Sequence, residues 1–399
     1  MVWRAAVVGV ALLATGCEER GEPYVPRVPP PVAVLRSDPE WDIRRNRISN
    51  EGAPLFEKTL RDAMTKYRFP SVVAGVLVDG QLVWWQGLGT RDGDEAHPVD
   101  AHSVYRIASI TKLFTAMAVL RLRDEGRLDL DAAASTYIPE FDSLEASTAD
   151  SGKVTIRHLL THTSGLPRLG RFDFTSEDHA SIGERDVLAS LNGMKLERVP
   201  GIESVYSNLG YALLGILVQR AVGKPYRTYV SEAIIAPLAM TSARWDEARV
   251  GRGQLTDGYR FHHGGYEKTH RWQMGAAEGM GGLYASLDDM ARFLAYQMTA
   301  WPPGGRADQP PLSNATLRES HHLGGHQWPG RGGTGYGWGV AMVGGIGPRM
   351  QHSGSTDGYA SYVSFFPTKR FGVVALTNCG RSPQLDAVAR SIEKALGRF

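Results

Sequence analysis

A serine and a lysine three positions apart, Ser109 and Lys112, are the residues of this sequence best suited to covalent chemistry. Residues at this spacing on a helix share one face, with their Cβ atoms about 5–6 Å apart. A serine hydroxyl is a poor nucleophile until a base takes its proton. A buried lysine can be neutral and can then act as that base. The pair therefore predicts an activated serine nucleophile.

A second pair with the same spacing, Ser391 and Lys394, differs from the first in its surroundings. Ser109 precedes the strongly apolar run 113–122, which is typical of a helix buried on most sides. Its hydroxyl would stand at the helix N-terminus, where backbone N–H groups are free. Ser391 lies within an amphipathic terminal helix whose charged neighbours indicate a solvated face. We therefore assign the chemistry to Ser109 and Lys112.

The elements that must position this pair come from both ends of the chain. Two apolar runs around Asp79 and Gly80 predict a β-hairpin, and three strand-like segments recur late in the sequence. Strands are predicted at 72–78, 81–87, 336–343, 360–366 and 371–376, helices at 54–67, 109–126, 154–161, 208–222, 286–298 and 385–396, and a long surface loop at 300–335. The predicted fold class is therefore α/β (α+β), with an antiparallel sheet built from both termini, flanking helices, a mostly helical lobe and a cleft between the lobes.

The N-terminus predicts export. Arg4 gives it a positive charge, residues 5–14 are apolar but too few to span a bilayer, and small residues precede Cys17. This pattern resembles the bacterial lipobox, in which the cysteine is lipidated and the signal is removed. The alternative is a plain signal peptide with an incidental cysteine. We expect a lipoprotein signal peptide over 1–17 and a protein held in the bacterial cell envelope, at the periplasmic face of a membrane.

The remaining chain is predicted to be one tethered domain. Residues 18–53 include a proline-rich stretch and are read as an extended tether. The domain covers 54–399, with a sheet lobe at about 54–105 and 336–399 and a helical lobe at about 106–335. The other cysteine, Cys379, follows an apolar strand and is interpreted as a packing residue. The net charge is only +2 and no basic run is present, so nucleic-acid binding is not expected.

Several short motifs occur in an order that resembles a known group of proteins. The group is the serine β-lactamases and penicillin-binding proteins, on the class C side, together with their esterase and D-peptidase relatives. Each motif alone is weak, and the resemblance depends on their order and setting over about residues 54–399. The motifs are Ser109-Ile110-Thr111-Lys112 as S-x-x-K, the stretch 154–166, Tyr206-Ser207-Asn208 as Y-x-N, Gly281-Gly282-Leu283, and His352-Ser353-Gly354 where the group has K-T-G or H-x-G.

The resemblance implies roles for the residues of the first motifs. Ser109 would be the nucleophile, and Lys112 and Tyr206 would form the base system. Cationic neighbours, Lys112 and His352, would stabilise a tyrosinate at Tyr206 or relay its proton. Asn208 would donate a hydrogen bond to the acyl carbonyl and to Lys112. The alternative for Tyr206 is a core tyrosine at the start of a helix.

The resemblance implies that the last motif, 352–354, and the residue after it bind the substrate. Backbone N–H groups of Ser109 and Ser355, the latter next to Gly354, would bind the oxyanion formed during attack on a carbonyl. His352 replaces the lysine of most β-lactamases. A histidine is mostly neutral near pH 7, so it would hold a substrate carboxylate less firmly than lysine does. We therefore expect β-lactams to be poorer substrates than small activated esters.

Other histidines of the sequence are candidates for a base or for metal ligands. His162 could be a triad base, but its helix-to-turn setting favours a structural role. The histidines of the glycine-rich segments lack the spacing of a zinc site and are interpreted as loop residues; they are His262, His263, His321, His322 and His326. No metal or organic cofactor is implied.

The sequence thus predicts a serine hydrolase that acts through an acyl-enzyme. Its substrate would be an ester, a D-amino-acid amide or peptide, or a β-lactam, and a β-lactamase proper or a DD-carboxypeptidase remains open. The alternative from another class is a non-catalytic penicillin-binding or cell-wall sensor lipoprotein. The expected partners are a small-molecule or peptide substrate and, through the lipid, a membrane.

Overall fold

The structure is a computed structural model that describes residues 39–173, 182–251, 253–269, 272–303, 308–326 and 332–399. Cys17, the expected signal peptide and residues 18–38 of the expected tether lie outside these ranges. No helix in the described ranges combines the length and the apolar character needed to cross a membrane.

The described chain contains twelve strands and ten α-helices. The strands are β1 (Ser71–Val78), β2 (Gln81–Gly89), β3 (Val104–Arg106), β4 (Tyr259–His262), β5 (Gly265–Lys268), β6 (Tyr284–Ser286), β7 (Gly325–His326), β8 (Gly333–Thr334), β9 (Gly339–Val343), β10 (Gly347–Ser355), β11 (Ala360–Phe366) and β12 (Phe371–Thr377). The helices are α1 (Pro39–Arg47), α2 (Ala53–Tyr67), α3 (Thr111–Asp124), α4 (Ile156–Leu160), α5 (Glu184–Ala189), α6 (Asn208–Val222), α7 (Tyr226–Val230), α8 (Leu287–Thr299), α9 (Asn314–Ser320) and α10 (Ser382–Leu396).

One eight-stranded antiparallel sheet organises the fold, in the order β2-β1-β12-β11-β10-β9-β8-β7. Strands from the start and the end of the chain meet where β1 pairs with β12. The turn between β1 and β2 places Asp79 and Gly80 at φ values of 52° and 78°, as a tight hairpin turn requires. The predicted fold class, with a sheet built from both termini, is confirmed.

The sheet separates two hydrophobic cores. Alternate residues of a strand point to opposite faces, so Val72 of β1 faces the outer core and Val73 faces the inner one. Helices α2 and α10 cover the outer face, where Cys379 is also buried. On the inner face, α8 packs directly against the sheet, and its Phe293 stacks on Phe114 of α3. The inner core therefore joins the sheet to the buried helix that follows Ser109.

Two stretches differ from the sequence prediction. Residues 39–52, placed in the tether, are helical, and Ile48 is fully buried against the outer core. Arg45 also lies 3.4 Å from Asp79 in the first hairpin turn. The tether prediction is therefore wrong beyond residue 38, because apolar burial and an ion pair fix this helix to the body.

The predicted surface loop at 300–335 is also wrong in part. It contains α9, whose Leu317 is fully buried, and the two short strands β7 and β8 at the edge of the sheet. His321, next to α9, is buried as well, with Nε2 2.9 Å from Oε1 of Gln297 and Nδ1 3.1 Å from Nε1 of Trp301. The glycine-rich composition of this stretch concealed its buried contacts.

Candidate active site

The candidate nucleophile lies in a tight turn between a strand and a helix. β3 ends at Arg106, and Ser109 is the middle residue of a short 3-10 turn, Ala108–Ile110, just before α3. Ala108 takes the unusual φ of 49°. Thr111 fixes this turn, since its hydroxyl donates to the carbonyl of Ala108 at 2.6 Å and accepts from the N–H of Leu283 at 3.1 Å. The turn places the Ser109 hydroxyl, which is partly exposed, at the start of a buried helix.

Lys112 is fully buried beneath Ser109. Its Nζ lies 3.2 Å from Oγ of Ser109 and 2.8 Å from Oδ1 of Asn208, and it also donates to the carbonyl of Met280. An amide oxygen and a backbone carbonyl can only accept hydrogen bonds. In a neutral amine these two acceptors use both N–H groups, so the nitrogen lone pair remains for the Ser109 hydroxyl.

The surroundings of Lys112 favour that neutral form. Burial lowers the pKa of Lys112 well below its ordinary value, and the positive charge of Arg168 lowers the pKa further. No carboxylate of the described residues contributes to this shift. The geometry and the electrostatics together give Lys112 the properties of a base for Ser109.

Tyr206 stands beside this pair, with its ring centroid 5.0 Å from Nζ of Lys112. Burial raises the pKa of Tyr206 to about 12, although a hydrogen bond with Ser109 and the charge of Arg168 oppose that rise. The phenol is therefore protonated near neutral pH. Of the two expected roles, a tyrosinate or a proton relay, burial of the phenol favours the relay. Tyr206 can instead pass on a proton that it holds.

Hydrogen bonds of the backbone hold Tyr206 and Asn208 in place. Ser207 caps α6: its side chain accepts from the N–H of Gly210 and donates to the carbonyl of Pro167 at 2.7 Å. The N–H of Ser207 donates to Nδ1 of His162 at 3.1 Å. The ring of His162, which is buried, also packs 4.6 Å from that of Tyr206. The structure therefore gives His162 a supporting position next to Tyr206.

His352 lies on β10, 6.3 Å from the ring of Tyr206. Its Nδ1 donates to the carbonyl of Ser353 at 2.7 Å, which leaves Nε2 as an acceptor. Burial, together with nearby Lys112, lowers the pKa of His352 to about 3. The histidine is therefore neutral and supplies no positive charge to the site.

Gly354 brings the end of β10 against the turn that holds Ser109. A Cβ atom at Gly354 would lie 2.3 Å from the carbonyl oxygen of Ile107 and 2.2 Å from Oγ of Ser361, so only glycine fits there. Ser355 follows as the last residue of β10, and its side chain is exposed. The turn and the end of the strand thus converge at one place.

Two residues near the site were missed in the sequence. Ser361 of β11 fixes the Ile107 carbonyl, and Arg168 extends its guanidinium over the ring of Tyr206, 5.1 Å from the centroid. Neither belongs to a motif quoted above, although Arg168 directly follows the stretch 154–166. In contrast, Ser391 is an exposed residue of α10 whose hydroxyl donates to the carbonyl of Ala387.

Histidines outside the site give no sign of a metal centre. His262 and His263 are exposed residues at the β4–β5 hairpin. Within the described ranges, no group of three or more His, Cys, Asp or Glu side chains is arranged to hold a metal ion.

Two related proteins match much of this chain. Protein flp of Staphylococcus aureus (strain COL) is 26% identical over 339 residues, which cover 83% of this chain and 64% of flp. Beta-lactamase-like protein 2 of Dictyostelium discoideum is 29% identical over 285 residues, which cover 69% of this chain and 50% of that protein. The chain thus spans less than two thirds of the length of either relative.

Solved structures share the fold. The octameric penicillin-binding protein homologue from Pyrococcus abyssi gives a TM-score of 0.73 at 26% identity and covers 86% of this chain and 76% of its own. A beta-lactamase/D-alanine carboxypeptidase from Yersinia pestis, complexed with citrate, gives a TM-score of 0.70 at 22% identity, with coverages of 86% and 98%. The sequence profile of the beta-lactamase family matches residues 56–397. The chain belongs to the beta-lactamase family.

Proposed function

We propose that this protein is a serine hydrolase that acts through an acyl-enzyme formed on Ser109. The contacts of Lys112 are the most direct support for this proposal. Nζ of Lys112 meets two oxygens that can only accept, those of Asn208 and Met280, and its third contact is the Ser109 hydroxyl at 3.2 Å. A neutral amine in this position has its lone pair directed at the proton that it must remove.

Acylation would transfer the Ser109 proton to Nζ of Lys112 while Oγ forms a bond to the substrate carbonyl carbon. The electron pair of the carbonyl moves to its oxygen, and backbone N–H groups of Ser109 and Ser355 would bind that oxyanion. When the oxyanion collapses, the bond to the leaving alcohol or amine breaks. Tyr206 would pass a proton to the leaving group and take one back from Lys112, since its phenol is protonated and lies next to that residue.

Deacylation would repeat these steps with water. A water molecule gives a proton to Lys112 and attacks the acyl carbon, a second oxyanion forms at the same N–H groups, and the bond to Oγ of Ser109 breaks with return of the proton. Asn208 lies within hydrogen-bond distance of Lys112, so it would orient the amine in both halves of the reaction.

The substrate class is an ester, a D-amino-acid amide or peptide, or a β-lactam. A panel of p-nitrophenyl esters, a D-Ala-D-Ala peptide, D-amino-acid anilides and a chromogenic cephalosporin tests this proposal. We expect steady turnover of at least one class by the wild type and none above background by Ser109→Ala. Acylation without turnover would instead support the alternative of a penicillin-binding sensor protein. The neutral state of His352 favours esters over β-lactams that depend on a cation at this position.

We also propose that the mature protein is an envelope lipoprotein attached through Cys17. The support is the sequence alone: a positive charge, an apolar run and small residues precede the cysteine. Cys17→Ser should yield unprocessed or soluble protein when membranes and soluble fractions of expressing bacteria are compared. A variant that matures and partitions into membranes like the wild type would show that Cys17 carries no lipid.

A further inference from the structure

We infer that Arg168 binds a carboxylate on the substrate, so that the hydrolase favours anionic esters or amides over neutral ones of the same shape. This inference rests on the proposed function. It assigns to Arg168 the role of carboxylate anchor, which the neutral His352 does not fill.

The backbone of Arg168 is tied to the segment that carries the active-site side chains. Its carbonyl accepts from the N–H of Asn208 at 2.8 Å, and the carbonyl of Pro167 accepts from the hydroxyl of Ser207. These bonds fix the start of the Arg168 side chain relative to Tyr206 and Asn208. A residue held in this way can place its charge reproducibly at the site.

The side chain of Arg168 is exposed beside the active site. Its guanidinium lies 5.1 Å from the centroid of the Tyr206 ring, within the range of a cation–π contact. Arg168 forms no ion pair with any residue in the described part of the chain, whereas most other arginines there are paired or hydrogen-bonded. A guanidinium offers two parallel N–H donors that match a carboxylate.

The other basic groups of the site are held neutral. Burial lowers the pKa values of Lys112, His162 and His352, and the charge of Arg168 contributes to the shifts of the first two. Arg168 is therefore the permanent positive charge among these groups. No carboxylate of the described residues opposes it in these shifts. A substrate anion would meet an attractive field there, since no carboxylate of the described ranges acts on these groups.

Two matched pairs of esters test this inference. In the first pair the carboxylate is on the leaving group: 4-acetoxybenzoate is compared with its neutral isostere 4-acetoxybenzamide. In the second pair it is on the acyl chain: p-nitrophenyl hydrogen suberate is compared with p-nitrophenyl methyl suberate. The readout is the ratio of kcat/KM for the anionic ester to that for the neutral one, so a general loss of activity in a variant cancels.

We expect Arg168→Gln to lower this ratio about tenfold in at least one pair, the effect of losing one charge-assisted hydrogen-bonding partner. Arg168→Lys should retain part of the preference, because it keeps the charge but loses the bidentate geometry. Added salt should reduce the ratio in the wild type and change it little in Arg168→Gln.

The control variant is Arg61→Gln, which removes the same charge from an exposed position on α2, at the outer face of the sheet. It should leave both ratios unchanged. If Arg168→Gln keeps its turnover and its ratio changes in neither pair, Arg168 is not the carboxylate anchor. That result would leave the proposed function intact. If neither the wild type nor any variant hydrolyses any of the four esters, the inference fails for esters. The proposed function fails with it only if the wild type also turns over none of the peptide, anilide and cephalosporin substrates.

Discussion

The hydroxyl of Ser361 donates a hydrogen bond of 2.7 Å to the carbonyl oxygen of Ile107. This bond connects the middle of the sheet to the turn that holds Ser109. Gly354 on the neighbouring strand β10 leaves just enough room for it, since any Cβ there would collide with both atoms. The position of the nucleophile relative to the end of β10 therefore depends on two residues that take no part in the proposed chemistry.

The first prediction concerns this contact. Gly354→Ala should lower the free energy of unfolding by about 1–3 kcal/mol, the usual cost of overpacking, and should also reduce kcat/KM, because the turn and β10 must separate. Thermal unfolding and ester hydrolysis are the measurements. Gly344→Ala is the matched control, since nothing lies within 4 Å of a Cβ at that turn. Equal behaviour of the two variants would show that the contact has no such effect.

The second prediction concerns the base. Lys112→Met keeps an unbranched side chain but removes the amine, and it should lower kcat/KM by about 10²–10⁴, the usual contribution of a general base. It should also destabilise the fold, because the half-buried oxygen of Asn208 and the buried carbonyl of Met280 lose their donor. Lys394→Met, in the exposed pair with the same spacing, is the control. If both variants retained wild-type turnover, Lys112 would not be the base.

The third prediction is a pH dependence. Only neutral Lys112 can accept a proton, so kcat/KM for a neutral ester should rise with pH and level off below the ordinary lysine pKa of 10.5, since burial lowers the pKa of Lys112. The other groups around it, His162, His352 and Tyr206, do not titrate near neutral pH. Arg168→Gln removes a positive charge, so the pKa of Lys112 should increase and the rising limb should move to higher pH. A limb that moves to lower pH would contradict this assignment.

The fourth prediction concerns the phenol. Tyr206→Phe should lose about 10²–10⁴ in turnover, because it removes a proton relay, while the ring contacts with His162 and Lys112 remain. The melting temperature should therefore stay close to that of the wild type. Stopped-flow hydrolysis and thermal unfolding separate the two effects. An unchanged rate on the best substrate would make Tyr206 a packing residue.

The sequence predicted the elements that have a clear local sequence signal. The β1–β2 hairpin and α6 occur close to their predicted positions, because two apolar runs around an Asp-Gly turn indicate the hairpin and a final glycine indicates the end of α6. β10 was not predicted as a strand. Its residues, among them Pro348, His352 and Gly354, have low strand propensity, and pairing with β9 and β11 makes it a strand.

The residues of the candidate site also fall into those that sequence motifs predicted and those that only the fold revealed. Ser109, Lys112 and Tyr206 could be found because they form spaced motifs, and the structure places them together. The contact of Lys112 with the Met280 carbonyl is a backbone contact across the fold, which no residue type encodes. Arg168 resembled any surface arginine until the fold placed it over Tyr206. Both findings depend on contacts between residues far apart in the chain.

The central claim is that Ser109 alone becomes acylated. The measurement is intact-protein mass spectrometry, followed by peptide mapping, after reaction with a fluorophosphonate and after acid quenching during turnover of a p-nitrophenyl ester. We predict one adduct per chain, located on Ser109, absent from Ser109→Ala and unchanged in Ser391→Ala. An adduct that persists in Ser109→Ala, or that maps to Ser391, would contradict the proposed mechanism.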